Sequence, residues 1–333
     1  MRKLAVLLLL TGSMYCTAPV RNYLEPQDRA VSDTLTQIKG TTVSVEKPLP
    51  QSQSPNILSV QNWPGNRFVL LDKQKLFSQH GYELYTCRQL DSCTSQADTV
   101  WTRPNHRLRY DKFKGHVLRV TDVEQISDEW LVTFIDENTN MVIYARTHKG
   151  AIKEIALEND LEMARKRWMG KYVFSRKGVI STILENGSGF SSMKVRIQDS
   201  LKVIDVRWGT SPLPVNPIWL IVEASGNRKG FIPVRYSWTN TLSDQIRNID
   251  AWGDDILEND PSVEHSWSPE MWELINNHRI VVEMTREQVF LSWGEPLSRV
   301  RKENKGIQRE CWIYSSQELY FDEKGLADIV DIQ

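Results

Sequence analysis

Leu118-Arg119-Val120-Thr121-Asp122-Val123 is matched, 83 residues further on, by Leu201-Lys202-Val203-Ile204-Asp205-Val206. Two further pairs follow in the same order: Trp130-Leu131-Val132 with Trp219-Leu220-Ile221, and Val142-Ile143-Tyr144-Ala145-Arg146 with Phe231-Ile232-Pro233-Val234-Arg235, both 89 apart. An insertion around Ser211-Pro212-Leu213-Pro214 accounts for the change of spacing. Upstream, Tyr82-Glu83-Leu84 precedes Tyr172-Val173-Phe174 by 90 residues. Four collinear matches mark an internal repeat, in which one supersecondary unit is used twice.

Each copy reads as short strands. Leu201, Val203 and Asp205 alternate with Lys202, Ile204 and Val206, and Ile218 to Val222 is a continuous apolar run, as for a strand covered on both faces. Trp219, inside that run, is expected in the core. Ser225-Gly226-Asn227-Arg228-Lys229-Gly230 supplies a polar turn. A helix is expected after each set, with Leu157, Leu161, Ala164 and Trp168 on one face in the first copy and Leu242, Ile246, Ile249 and Trp252 in the second. Gly170 and Gly253 stop them.

The whole chain has 333 residues, with 41 Lys+Arg against 42 Asp+Glu and a net charge of −1. That balance excludes a general basic field for nucleic acid or for an acidic membrane surface. Hydrophobic residues make up 40%, enough to fill real cores, while 14 Pro, 17 Gly and 12 Trp point to turn-rich β structure rather than a helical bundle.

Met1-Arg2-Lys3, the apolar run Leu4 to Leu10 and the small residues Thr11-Gly12-Ser13 have the order of an export signal, and the run is too short to span a bilayer. Residues 1–18 are therefore expected to be a signal peptide. Cys16 is a candidate lipidation site, as the acylated cysteine of a bacterial lipoprotein, although Tyr15 stands where such a signal has a small residue. An ordinary cut after Ser13 or Ala18 is the alternative. Residues 19–62, with Pro19, Pro26, Pro48, Pro50 and Pro55 among Ser, Thr and Gln, read as a linker. Cys87 and Cys93, with five residues between them, are a candidate disulfide, and no second Cys or His pair stands at metal-ligand spacing. Cys311 reads as a buried small hydrophobe.

Residues 194–240, and more weakly 112–148, resemble the core of a bacterial SH3-like barrel: a strand ending Asp-Val, then Trp-Leu-Ile-Val-Glu, a Gly-containing turn and Gly230-Phe231-Ile232-Pro233-Val234. The resemblance implies two SH3-like repeats over about 78–253, with a role in binding peptide or cell-wall polymer, or as a spacer.

The last third carries local helix signals. Ser268 before Pro269 is an N-cap with Pro at the first helical position, for a helix to about Asn277. Thr285-Arg286-Glu287-Gln288 is a capping box, Val289, Phe290 and Trp293 line the helix it opens, and Gly294 and Pro296 end it. Three strands are expected at Leu297–Lys302, Gln308–Tyr314 and Glu318–Phe321, with a last one at Leu326–Asp331. Met284-Thr285-Arg286-Glu287-Gln288-Val289, Trp293-Gly294-Glu295-Pro296, Trp312-Ile313-Tyr314 and Leu319-Tyr320-Phe321 resemble the BamE/SmpA-like envelope lipoprotein domain over 268–333. Glu283 departs from the Gly usual in that family. The resemblance implies a helix-helix-three-stranded-sheet fold and, at the level of function, outer-membrane protein assembly.

No catalytic set emerges. His80, His106, His116, His148, His265 and His278 lie outside any nucleophile or metal-helix motif. Asp254-Asp255 and Glu258/Asp260 lack the glycine and terminal glutamate of a calcium loop and read as a solvated acidic linker. Gly187-Ser188-Gly189 lacks the Lys of a phosphate loop. Among the aromatics, Trp208 and Trp238 flank loops and read either as packing residues or, with Tyr236 and Arg235, as a candidate aromatic groove for peptide or glycan.

The expectation is a mainly β chain with α+β: linker 19–62, SH3-like repeats 63–168 and 169–262, and a BamE/SmpA-like domain at 263–333. It reads as an exported, periplasmic or outer-membrane-attached protein, non-enzymatic, without cofactor or metal. Its expected partners are envelope proteins or peptidoglycan, not nucleic acid, and it meets the membrane only through an N-terminal lipid. A hydrolase with an unrecognised site is the third reading.

Overall fold

The computed structural model describes residues 57–89, 107–183, 189–211, 216–241 and 256–332. The signal peptide, Cys16, most of the linker, Cys93, the Ser211–Pro214 insertion apart from the backbone of Ser211, and the second repeat's helix lie outside them. The described chain is mainly β, built of curled antiparallel sheets.

The first sheet uses β1 (Arg67–Leu70), β3 (Tyr82–Tyr85), β4 (Arg107–Leu108), β5 (Val117–Ile126), β6 (Glu129–Asp136), β7 (Val142–Thr147) and β8 (Ile155–Leu157), in the order β4-β3-β7-β6-β5-β1-β8. A short β2 (Asp72–Lys73) stands apart from it. Helices α1 (Lys75–Ser78) and α2 (Tyr110–Phe113) lie in its loops. After α3 (Glu158–Trp168) comes a second sheet of β9 (Tyr172–Ser175), β10 (Val179–Ile183), β11 (Phe190–Lys194), β12 (Leu201–Trp208), β14 (Ile218–Ala224), β15 (Arg228–Val234) and β16 (Ile256–Leu257). Its order is β11-β10-β15-β14-β12-β9-β16. The two orders coincide strand for strand, so the repeat is a repeat of topology.

Ladder registers refine the sequence alignment. In β5 the pairing with β6 slips between Val120 and Asp122, and in β12 the pairing with β14 slips between Val203 and Asp205. Both copies carry the same β-bulge, at Thr121 and Ile204, 83 residues apart. The bulge moves the inward row by one residue. Leu201, Val203 and then Val206, rather than Asp205, are buried.

Beyond the bulge Gln125 faces Trp130 and Trp208 faces Ile218. Trp130 therefore corresponds to Ile218, and Trp219 to Leu131, one residue off the expected match. A one-residue slip exchanges the faces of a strand. Trp219 is buried but lies across the sheet from the core residues Leu220 and Val222, stacked on Phe231 at 4.1 Å with Phe190 edge-on. In the next strand Tyr144, not Val142, corresponds to Phe231, a two-residue shift that keeps the face. The expected pairing of Tyr82 with Tyr172 also fails. Phe68 pairs with Leu118 and Val173 with Leu201, so β9 is the counterpart of β1 rather than of β3.

Three cores form, and α3 links the first sheet to the second core. Trp63, Phe68, Leu84, Leu118, Val132 and Phe134 fill the first. The apolar face of α3 (Leu161, Ala164 and Trp168) enters the second core with Leu201, Val203 and Leu220. The boundary expected at Trp168 thus falls between a helix and the core it fills. At about 1.5–3 kcal/mol for each large apolar side chain buried, α3 binds the two units together.

The tail has α4 (Pro261–Glu264), α5 (Pro269–Asn276) and α6 (Arg286–Trp293), followed by β17 (Ser298–Asn304), β18 (Ile307–Ile313), β19 (Gln317–Phe321) and β20 (Leu326–Asp331). The sheet is a four-stranded meander, β17-β18-β19-β20, rather than three-stranded, because the last strand pairs with β19. The caps lie where the sequence puts them. Ser268 accepts from Met271 N, Thr285 and Gln288 close a capping box, and Gly294 ends α6 at φ +81°. Ile197, from the loop before β12, sits in this third core. Cys311 is buried and free.

Candidate functional site

The segment after β15 holds three of the four residues expected to line an aromatic groove, and it runs through a seam between the two sheets. Arg235 and Trp238 are 6% and 4% exposed. The Arg235 guanidinium lies 3.7 Å from the Trp238 ring centre, and its Nε donates to Asn216 Oδ1 at 3.0 Å. Tyr236 packs edge-on against Trp168 and, with Trp208, keeps part of its surface in water against the second core. The structure brings Arg235 and Trp238 together as a stacked, buried pair. An open groove needs accessible rings, and only Trp208 and Tyr236 supply them.

What the segment does is fasten. Asn240, at φ +60°, turns its carboxamide into the loop before β8. Its Oδ1 accepts from Ile152 N at 2.7 Å, and its Nδ2 donates to Ile152 O at 2.9 Å and Ile155 O at 2.8 Å. Ser237 donates its Oγ–H to Asp160 of α3 at 2.7 Å. Burial pushes the Asp160 carboxyl up to about 6, against the Ser237 hydrogen bonds that lower it. Thr239 Oγ1 accepts from Leu58 N. A second fastening is β2, which pairs in parallel with β13 (Thr210–Ser211), so that strands from the two units join directly. Lys73 of β2 is buried, donates to Gly81 O and forms an ion pair with Glu154, which also accepts from Glu83 N.

The tail is keyed to the second unit in the same manner. Asn276 accepts from Ile197 N and donates to Gln198 Oε1, both at 2.9 Å. His278 sits between two carbonyls, Ser292 O at 2.7 Å from Nδ1 and Lys177 O at 3.0 Å from Nε2. Arg176 lies over the Phe290 ring and against Gly294, where a Cβ would meet its guanidinium.

The arrangement nearest to catalytic geometry is His116 with the buried Asp136, Nδ1 to Oδ2 3.1 Å. This is the base and orienting acid of a triad. The Thr139 hydroxyl and Asn138 N donate to the same carboxylate, which thereby holds the turn after β6. By the strand registers, the second copy has Asp199 and Ala224 at these places. Among the described residues no Ser, Thr or Cys hydrogen-bonds the other ring nitrogen of His116, and no group of three or more His, Cys, Asp or Glu is placed to hold a metal ion. No described helix is long and apolar enough to cross a membrane. Cys87 is disulfide-bonded, with its partner outside the described residues. Of the acidic linker, Glu258 pairs with Arg167 at 2.5 Å and Asp260 caps α4, accepting from Ser262 N.

An aromatic cluster at the entry to the tail belongs to none of the motifs expected from the sequence. His265 stacks on Trp267 (4.2 Å, 5°), and Trp272 follows at 4.9 Å. Its only sequence signal is two tryptophans five residues apart in a stretch without Lys or Arg. Compared with protein-family models and with curated proteins, the chain matches none.

Proposed function

We propose that the chain is a non-enzymatic bacterial envelope protein, exported by residues 1–18 and anchored through Cys16, that serves as a rigid frame for binding other envelope proteins. On this reading the two sheets are SH3-like modules, the tail is a BamE/SmpA-like domain, and Cys87 pairs with Cys93 in an oxidising compartment. The observation that carries it is the fastening of three units by hydrogen-bonded polar groups: the buried Asn240 between the two sheets, and the half-buried Asn276 and His278 at the tail. Buried hydrogen-bonded groups specify one arrangement more than they add net stability. A frame that presents surfaces at set distances has use for such groups.

The test is retention of the purified protein, carrying Cys16→Ser so that no lipid holds it, on isolated envelope membranes and on cell-wall sacculi. Saturable retention on membranes, lost when the membrane proteins are digested beforehand, supports the frame. Saturable retention on sacculi that is lost on Trp208→Ala would make it a wall-binding module instead, and release of soluble wall fragments would make it a hydrolase.

A further inference from the structure

His278 stands just past the end of α5, at a place where helices commonly close on glycine. Arg279 N donates to Leu274 O and His278 N to Ile275 O, the paired bonds of a Schellman closure, and His278 takes its left-handed position at φ +52°. A side chain is strained there, so the contacts of the imidazole must offset the cost. Its Nδ1 lies 2.7 Å from Ser292 O and its Nε2 3.0 Å from Lys177 O. Ser292 is in the last turn of α6, where carbonyls lack helical donors, and the residue four further on is Pro296, which has no N–H. Lys177 belongs to the turn between β9 and β10, so the ring spans the junction of the tail with the second unit.

Both ring nitrogens thus face acceptors. A neutral imidazole carries one N–H and one lone pair, and only the imidazolium donates from both nitrogens. With a neutral ring a lone pair is set against a carbonyl oxygen, and one of the two contacts is lost. Two helix ends favour the charged form: His278 follows the C-terminus of α5, and Ser292 O belongs to that of α6, each the negative end of a helix dipole. The charged groups on the elements packed here make no ion pair with the ring among the described residues. Glu287 pairs with His265, Glu295 with Arg299 and Arg286 with Glu310, while Glu270 and Glu273 on α5 are exposed. Arg176 lies over Phe290, and Lys177 and Arg279 add further positive charge, so carbonyl geometry rather than a carboxylate holds the proton. We infer that His278 is a proton-operated clamp. Charged, it ties the tail to the second unit through both carbonyls; neutral, it keeps one and releases the other, while Asn276 holds the tail seated in either form. The inference goes beyond the binding-frame reading and stands or falls whatever the chain binds.

The test uses the full chain at about pH 5.5 and about pH 8.5, on either side of the ordinary imidazole titration near 6.5. Nitrogen resonance of 15N-labelled histidine should show His278 carrying a proton on both ring nitrogens at the lower pH and on one at the higher. Amide exchange in α5 and α6, corrected for the intrinsic effect of pH, should lose protection at least about tenfold between the two, as for one charge-assisted hydrogen bond. His278→Asn, which tolerates the left-handed position and does not titrate, should give equal protection at both values. Asp160→Asn, which removes the carboxyl that titrates near 6, should leave the response intact. The ring measurement needs no substitution, so it decides the matter even if His278→Asn fails to fold. A single ring N–H at the lower pH, equal protection of the unaltered chain at both values, or a response that persists in His278→Asn would overturn the clamp.

Discussion

Asn240 is the residue on which the seam between the two sheets depends most, and its replacement can be worked through. Asn240→Ala removes three hydrogen bonds and leaves Ile152 N, Ile152 O and Ile155 O without partners where Ile152 and Ile155 are both buried. An unsatisfied buried polar group costs about 1–3 kcal/mol. The three sit side by side and share one site, so their costs overlap, and about 3–5 kcal/mol is the expected total. Alanine at φ +60° adds about 1 kcal/mol of backbone strain that asparagine tolerates better. Asn240→Gly removes the strain but not the lost bonds, so it separates the two contributions. Denaturant unfolding should show Asn240→Ala as the weaker protein, with Asn240→Gly recovering only about 1 kcal/mol. In a thermal scan about 4 kcal/mol corresponds to roughly 6 °C, at about 2.1 cal/mol/K of unfolding entropy per residue over a chain of this size. A loss below about 1 kcal/mol for Asn240→Ala would refute the claim that this side chain locks the units.

Asp160 gives a pH dependence. Its folded value near 6 lies above the ordinary aspartate range because of burial. Between about pH 4 and 6 the folded state holds the proton more tightly than the unfolded chain, so this group's contribution falls as pH rises and is level above 6. A carboxyl held that far above its ordinary value costs about 3 kcal/mol of stability at neutral pH. Asp160→Asn, whose amide oxygen still accepts from Ser237, should match the native chain near pH 4 and exceed it by up to that amount near pH 8; equal stability of the two at both pH values would contradict this. Gly209→Ala places a Cβ against the Trp219 indole and should lower stability by about 1–3 kcal/mol, as overpacking does; an unchanged unfolding midpoint would contradict the packing of that face. His278→Ala removes both carbonyl contacts at the tail junction. It should raise hydrogen exchange in α5 and α6 while sparing β5 and β6, and uniform protection would contradict a keyed tail.

Local chemistry was legible in the sequence and long-range register was not. The caps at Ser268 and Thr285 and the stop at Gly294 are decided by residues within one turn, so their spacing states them. The repeat was visible through apolar runs, but the bulge at Thr121 and Ile204 has no residue signature. Past it the alignment slips by one residue, so that Trp219, buried as expected, answers to Leu131 rather than to Trp130. Leu157-Glu158-Asn159-Asp160 recurs as Leu257-Glu258-Asn259-Asp260, but one residue out of ladder register, since Leu157 faces Phe68 and Leu257 faces Phe174 rather than Val173. The burial of Arg235 and Trp238 was hidden for another reason. Arg235 to Thr241 looks like a polar surface loop, yet Ser237, Asn240 and Thr239 are partnered by residues 77 to 181 positions away, and they draw the Arg235–Trp238 pair inward. Composition cannot announce a partner that distant.

The central claim is that three units form one rigid frame. It is tested most directly by the distance distribution between spin labels on exposed sites of the first unit and the tail, Asp128→Cys and Lys324→Cys, read by pulsed electron resonance. The account predicts a single peak no wider than the labels' own freedom, broadening in Asn240→Ala and in His278→Ala. A broad or multiple distribution in the otherwise unaltered chain would contradict it.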